Sequence, residues 1–178
     1  MLLFSTLALA LIHRAITTSE YDSIRSTLSR YALAIDLKDF DSLDSVFTKD
    51  IVANYSEPLN VLTGIEEVKT SLEASLAPVT SVHSITTQLI DFHDDDTVSS
   101  LTYYTAAQFG TGSLEGELVS AWGRYEDELV RTLVGWRISK RQLVYMVSTA
   151  PLDSIIRFSS SFLFKGPLIG NLDIFLPQ

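Results

Sequence analysis

Residues 23–43 read SIRSTLSRYALAIDLKDFDSL, and the spacing of their apolar side chains decides the first element of the fold. Apolar residues recur every three or four positions, which places them on one face of an α-helix. Upstream, Ser19 and Asp22 form an arrangement close to a capping box, so the helix is predicted to start at Ser19. The predicted core-facing residues are Ile24, Leu28, Tyr31, Ala32 and Ile35.

Two further helices and a short strand are predicted downstream. Asp39 precedes a second, short helix, and residues 51–55 have the composition of a strand. Thr63 and Glu66 match the T-x-x-E capping box, so a third helix is predicted to begin there and to end before Pro78. The apolar stripe of this third helix would consist of Ile65, Val68, Leu72 and Leu76.

The second half of the chain has the composition of β-strands. β-Branched and aromatic residues dominate four runs separated by turn-like sequences, at residues 82–93, 98–109, 114–132 and 136–147. Helices followed by hairpin-connected strands indicate an α+β domain whose antiparallel sheet packs against the helices. Because a long sheet twists strongly, we expect it to curl around the helices into a cone with an internal pocket.

The composition excludes several classes of function. Of the 178 residues, 46% are hydrophobic and 20% are charged, as expected for one globular domain with a sizeable core. The formal net charge of −9 should repel nucleic acid, which is therefore not an expected partner. The absence of cysteine excludes disulfides, thiolate nucleophiles and cysteine-ligated metal sites.

Two apolar segments flank the predicted domain, which we place at residues 19–148. In residues 1–18, the uncharged stretch from Leu2 to Ile12 is too short to cross a bilayer as a helix. It is interpreted as a cleaved signal, an extra helix or a weak membrane anchor, so the localisation stays open between the secretory pathway and the cytoplasm. The tail, residues 149–178, is predicted to lie over the pocket mouth as a lid, or to cover an outer sheet face or an oligomer contact.

The sequence gives little support for a cofactor or a metal. It contains none of the motifs typical of dinucleotide sites, phosphate-binding loops or metallopeptidases. Besides His13, the histidines are His83 and His93, which would lie roughly 33 Å apart on one straight strand. We therefore expect no cofactor and no metal site.

Asp36 and His83 are the residues best placed for acid–base chemistry. Asp36 falls at the edge of the buried stripe of the first helix, and His83 shares a strand face with Ile85, Thr87 and Leu89. If that face is the inner one, the imidazole enters an apolar cavity. Each residue also has a structural interpretation, Asp36 as a helix-end charge and His83 as a hydrogen-bonded core histidine.

Several stretches resemble the SnoaL-like branch of the NTF2-like superfamily. They are residues 30–36 (RYALAID), 39–43 (DFDSL), 47–50 (FTKD), 123–132 (GRYEDELVRT) and 135–138 (GWRI). The resemblance covers about residues 19–147 and implies an α+β cone. The branch includes polyketide cyclases and fungal dehydratases of the scytalone dehydratase type.

The resemblance implies catalytic roles for three residues. It places Asp36 at the family's helix-borne aspartate and His83 at the histidine that pairs with it. It places Tyr55 at a tyrosine that polarises a substrate oxygen in the dehydratases.

This chain also departs from the dehydratase pattern. It has Ile35 where the dehydratases carry a second tyrosine, and Ala107 or Gln108 where they carry a second histidine. Their asparagine on the following strand falls near Ala121. These departures argue against the scytalone reaction itself and leave the Asp–His pair intact.

An Asp–His pair in an apolar cavity suits proton transfer without a cofactor, because the carboxylate fixes the tautomer and leaves the other ring nitrogen free to exchange a proton. We therefore expect a lyase or isomerase that dehydrates, isomerises or cyclises a polyketide- or terpenoid-like metabolite of secondary metabolism. The alternative is a non-catalytic module for small-ligand binding or dimerisation. The predicted substrate-binding residues are Tyr103, Tyr104, Ile85, Leu89, Trp122 and Phe162.

The predicted partners are an apolar small molecule and further copies of the chain. The face of the sheet away from the helices still carries apolar residues, which a soluble monomer would not favour. We therefore expect a homodimer or homotrimer formed through that face.

Overall fold

The structure, a computed structural model, describes residues 20–146 and confirms the α+β class. Helix α1 covers residues 20–36, a 3-10 helix spans Phe40–Ser45 and helix α2 spans Ile65–Leu76. The strands of this range are β1 (Phe47–Asn54), β2 (Val61–Thr63), β3 (Val79–Phe92), β4 (Thr97–Gly110), β5 (Leu118–Thr132) and β6 (Gly135–Tyr145). A second 3-10 turn, Gly112–Leu114, precedes β5.

The strands form one sheet in the order β2-β1-β6-β5-β4-β3. Strands β3 to β6 are the predicted antiparallel meander, and β1 pairs with β6 in parallel. Strand β1 starts at Phe47, earlier than predicted, and β2 was not predicted because its three residues are too few to show a period. Within residues 20–146, no helix combines the length and apolar content needed to cross a bilayer.

Helix α1 lies across one face of the sheet, which we call the inner face. All five residues of its predicted stripe are buried, confirming that prediction. Near its start, Glu20 accepts hydrogen bonds from Trp136 Nε1 and Arg131, and at its end Asp36 binds His83 on β3. The helix therefore spans the sheet from the β5–β6 hairpin to the edge strand β3.

The capping of α2 differs from the predicted Thr63–Glu66 box by one residue. Gly64 is the N-cap, with φ of 85°, and Glu67 rather than Glu66 folds back to accept the Thr63 backbone N–H at 2.7 Å. Thr63 is unavailable as a cap because it is the last residue of β2. The positive φ explains why glycine occupies the cap position.

A β-bulge in β3 changes which side chains face inward. The β3–β4 register shifts between Ile85 and Gln88, so two residues of β3 oppose one of β4. Before the bulge, the His83 side chain is only 7% exposed and Ile85 is half-buried, whereas Leu89 beyond it is 57% exposed. The prediction that Thr87 and Leu89 share the face of His83 is wrong, because one extra residue reverses the alternation.

The inner face is organised in rows of residues that pair across the strands. The first row is His83–Ala106–Ala121, and the second is Ile85–Tyr104–Gly123–Tyr145. Deeper rows are Gln88–Thr102–Tyr125–Leu143 and Ile90–Ser100–Asp127–Arg141. Asp36, at the end of α1, lies beside the first row.

Candidate active site

The centre of the site is the contact between Asp36 and His83. His83 Nδ1 lies 2.6 Å from Asp36 Oδ1, and the His83 backbone N–H donates to Asp36 Oδ2 at 2.7 Å. The Ser81 hydroxyl donates to Asp36 Oδ1 at 2.8 Å. Ser81 and His83, both on β3, therefore hold the carboxylate, and the sequence-predicted pair of Asp36 and His83 is brought together.

These contacts decide the charge of Asp36 and the tautomer of His83. Burial alone would raise the pKa of Asp36, but the hydrogen bonds from His83 and Ser81 bring that pKa below its ordinary value. Asp36 is thus a carboxylate at neutral pH and can only accept hydrogen bonds. His83 must donate through Nδ1, which leaves Nε2 as the nitrogen available for a second partner.

A series of stacked side chains leads from His83 across the inner face. The Tyr104 ring lies 6.0 Å from His83 between centroids and stacks on Tyr125 at 4.5 Å with an interplanar angle of 12°. The Arg141 guanidinium follows, with Cζ 4.1 Å from the Tyr125 centroid and 4.0 Å from the Tyr31 centroid. Tyrosine rings therefore form much of the interior beside His83.

Arg141 is held by a buried ion pair with Asp127. Its Nε and Nη2 atoms donate to the two carboxylate oxygens at 2.8 Å each, and both side chains are almost fully buried. Burial alone would lower the pKa of Arg141, but the Asp127 carboxylate and its hydrogen bonds keep that pKa above the ordinary value. A permanent positive charge therefore lies inside the protein, between two tyrosine rings.

Several buried polar atoms in this region have no hydrogen-bond partner among the described residues, including Gln88 Nε2, Ser100 Oγ and Thr102 Oγ1. The Tyr55 hydroxyl and Arg141 Nη1 are also among them, and these two side chains are neighbours. Burial raises the pKa of Tyr55 well above its ordinary value, so its hydroxyl keeps its proton. Because an unpartnered buried polar group is costly, the pair is suited to an acceptor oxygen of a ligand or a water molecule.

The other predicted substrate-binding residues divide between the two faces. Tyr104 is buried on the inner face, and Ile85 packs against the core there. Tyr103 points to the opposite face because it neighbours Tyr104 on the strand, and Trp122 is 51% exposed on that outer face. The structure therefore corrects the prediction for Leu89, Tyr103 and Trp122, while Phe162 lies outside the described residues.

The structure also shows which face of the sheet carries Ala107, Gln108 and Ala121, the residues that depart from the dehydratase pattern. Gln108 and Ala121 belong to the inner face, in the rows of Ser81 and His83 respectively. Ala107 pairs with Val82 and points outward. If a side chain substitutes for the second histidine, Gln108 is therefore the one with access to the interior.

Sequence reasoning missed Tyr125, Asp127 and Arg141 as parts of the site. Gly123, Tyr125, Asp127 and Leu129 all face inward on β5, and their alternation with the charged residues between them was a usable signal. The pairing of Asp127 with Arg141 was not, because it depends on the turn at residues 133–134 and on a bulge in the β5–β6 register. In the part of the chain that the structure describes, no group of three or more potential metal-ligating residues occurs.

Comparison with known proteins places this chain in a family. The model of the SnoaL-like domain matches residues 17–142. The chain belongs to the SnoaL-like family. A curated relative, the uncharacterized protein Rv2910c of Mycobacterium tuberculosis, is 31% identical over 123 residues, which cover 66% of this chain and 80% of the relative.

Solved structures of similar fold include two proteins with enzyme names. One is a provisionally named scytalone dehydratase from Novosphingobium aromaticivorans, with 21% identity, a TM-score of 0.67 and coverage of 75% of this chain and 88% of that one. The other is a hexachlorocyclohexane dehydrochlorinase, LinA type 2, with 16% identity, a TM-score of 0.62 and coverage of 79% and 97%. At these identities the likeness shows the fold alone, and that fold is the NTF2-like one predicted for this SnoaL-like protein.

Proposed function

We propose that this SnoaL-like protein is a cofactor-independent lyase or isomerase in which Asp36 orients His83 and His83 transfers the proton. The single observation that carries the proposal is the 2.6 Å contact between Asp36 Oδ1 and His83 Nδ1 on the inner face. A separated pair would favour a binding module instead, because His83 would then lack a fixed tautomer. The enzyme names of structural relatives, a scytalone dehydratase and a dehydrochlorinase, agree with elimination chemistry.

In the proposed reaction, Nε2 of His83 removes a proton from a carbon next to a carbonyl group of the substrate. The electron pair of the broken C–H bond forms an enolate, and the same nitrogen then returns the proton. Returning it to a departing hydroxyl releases water, and returning it to another carbon gives an isomer. In the third outcome the enolate carbon attacks a second carbonyl carbon of the substrate and closes a ring, and the proton held by Nε2 passes to the alkoxide oxygen that results. All three outcomes use one set of residues.

The developing negative charge on the substrate oxygen requires donors away from His83. The Tyr55 hydroxyl and Arg141 Nη1 are buried and have no protein partner among residues 20–146. Preorganised donors of this kind stabilise an oxyanion strongly in a site from which water is excluded. Tyr55 keeps the role inferred from the family resemblance, and Arg141, which lies beyond the Tyr104 and Tyr125 rings from His83, contributes its positive charge at longer range.

The substrate class is proposed to be an apolar polyketide- or terpenoid-like metabolite. Its apolar part would contact Ile85 and the rings of Tyr104 and Tyr125, which form the interior next to the Asp36–His83 pair. The oxygen that becomes the enolate would lie toward Tyr55 and Arg141. This arrangement accommodates a cyclic ketone better than a highly charged metabolite, because apolar and aromatic side chains predominate.

The proposal is tested by comparing metabolites of host strains that carry single substitutions in the chromosomal gene. We expect His83→Ala and Asp36→Asn to accumulate the same compound as deletion of the gene. His93→Ala is the matched control, since His93 is exposed beyond the end of β3. A compound 18 mass units above the lost product would indicate dehydration, and one of equal mass isomerisation or cyclisation. Normal metabolites in the His83→Ala strain alongside accumulation in the deletion strain would contradict the proposal.

A further inference from the structure

Gly123 is in unusually close contact with the ring of Tyr104. The two residues pair across β4 and β5. A Cβ atom added at Gly123 would lie 2.8 Å from Cε1 and from the hydroxyl oxygen of Tyr104, and 2.9 Å from Cζ. The hydroxyl end of the Tyr104 ring therefore lies directly over Gly123, in space that a side chain of any other residue would occupy.

The surroundings of Tyr104 limit where its ring can move. On one side it stacks on Tyr125, which is itself packed against Tyr31 and the guanidinium of Arg141. Those neighbours are buried and cannot retreat without breaking the ion pair of Arg141. Away from Tyr125, the nearest aromatic neighbour is His83, whose ring centroid is 6.0 Å away.

The row that contains His83 has only small side chains on the two strands next to it. Ala106 and Ala121 follow His83 across β4 and β5, and neither side chain extends beyond Cβ. The space beside His83 is thus bounded by two alanines on the sheet and by the Tyr104 ring in the next row. The width of this space depends on the position of the Tyr104 ring, because the alanine side chains are too short to enter it.

We propose that Gly123 is a specificity-determining residue, which sets the width of the site beside His83 by letting the Tyr104 ring lie across β5. A methyl group at this position must displace the ring by more than about half an ångström before ordinary contact distances are restored. The displaced ring enters the space beside His83. The native site then discriminates ligands by ring size, and Gly123 is what admits the larger ones. The inference concerns the site of the proposed function, but it rests on packing and does not require turnover.

The test measures the affinity of two ring compounds, phenol and 2-naphthol, by titration calorimetry with the full-length protein. The informative quantity is the ratio of the two dissociation constants. We expect Gly123→Ala to weaken the binding of 2-naphthol relative to that of phenol by about tenfold or more, as steric changes in tight pockets commonly do. In the Tyr104→Ala background, the same substitution should change the ratio by less than about twofold, because the coupled partner is gone.

A spectroscopic signal separates this role from a general loss of folding. The chemical shift of the His83 ring proton depends on the nearby Tyr104 ring, so Gly123→Ala should move it while other histidine signals stay in place. The proposal would be overturned if the ratio of dissociation constants were equal in wild type and Gly123→Ala. It would also be overturned if Gly123→Ala changed that ratio equally with and without Tyr104→Ala, or if wild type did not bind 2-naphthol. Repeating the titration with Asp36→Asn keeps the two proposals distinguishable, because binding by size persists there even though the proposed proton transfer is lost.

Discussion

At the scale of single residues, Asp36 is the position where helix and sheet meet chemically. Its two oxygens accept hydrogen bonds from Ser81 and from the backbone and ring of His83. Each of these bonds favours the ionised carboxylate over the protonated acid. Stability and the proposed chemistry therefore both depend on the charge of one side chain.

The lowered pKa of Asp36 predicts how stability changes with pH. A carboxyl whose pKa is lower in the folded state stabilises the protein above its unfolded pKa, and this contribution disappears as the pH falls through the folded value. We expect Asp36→Asn to lower the free energy of unfolding at pH 7, and the difference from wild type to shrink below about pH 4. Urea unfolding of both proteins between pH 7 and pH 3 measures this difference in the free energy of unfolding. Asp91→Asn, which removes an exposed carboxylate of the same sheet, is the control, and a difference for Asp36→Asn that is constant down to pH 3 would refute the prediction.

The sequence was sufficient to predict individual residues where local periodicity determined their environment. The stripe of α1 follows from spacing alone and was predicted correctly, whereas spacing left open whether His83 lies on the inner face. Leu89 was placed on the wrong face because a bulge adds one residue without any sequence signal strong enough to locate it. The role of Tyr55 came from family resemblance, since no local pattern links the end of β1 to Arg141.

At the scale of elements, β5 and β6 are joined by a charge pair on the inner face and by another on the outer face. Asp127 binds Arg141 inside, with both side chains almost fully buried, whereas Glu128 binds Lys140 outside at 2.9 Å with both side chains about 60% exposed. The two pairs occupy adjacent positions of the same strands. They form a matched comparison of buried and exposed ion pairs.

We expect Asp127→Asn to lower the free energy of unfolding by about 3–5 kcal/mol, because Arg141 is left as an uncompensated buried charge. Glu128→Gln should change it by less than about 1 kcal/mol, as is usual for exposed pairs. Urea denaturation at pH 7 checks both values under identical conditions. Similar effects of the two substitutions would mean that the Asp127–Arg141 pair is not buried in solution.

The boundaries of helices and strands were predicted well where they depend on nearby residues and poorly where they depend on pairing with a distant strand. The sequence placed α2 and the four long strands because each carries its own period over many residues. It missed β2, and it assigned the cap of α2 to Thr63 and Glu66. Both errors arise from the pairing of β2 with β1, a contact that brings Thr63 into the sheet and leaves Gly64 as the cap.

At the scale of the whole molecule, the sheet has one face covered by α1 and another that carries exposed apolar side chains. Val82, Leu89 and Trp122 on this outer face are each about half exposed. Folding of the monomer does not require these side chains to be apolar, because they stay in contact with water. Proteins commonly bury such exposed apolar side chains by self-association. We propose that further copies of this chain pack there as a homodimer or homotrimer.

Light scattering at micromolar concentration should give two or three times the 19.8 kDa mass of one chain. Trp122→Lys should lower this mass, because a charge would then be buried in the interface. Leu33→Lys is the matched control, since Leu33 is equally exposed but lies on α1. A wild-type mass near 19.8 kDa, or an equal effect of both substitutions, would exclude an interface on the outer sheet face.

Proton transfer by the Asp36–His83 pair can be measured as kcat/KM for the metabolite that accumulates in the His83→Ala strain. Purified wild type, His83→Ala, Asp36→Asn and His93→Ala are assayed with this compound at neutral pH. We expect His83→Ala to lower kcat/KM by about a hundredfold or more, and Asp36→Asn to lower kcat with little change in KM. We expect a change within about twofold for His93→Ala, which contacts neither residue. A His83→Ala protein that turns over the compound at the wild-type rate would contradict proton transfer by this pair.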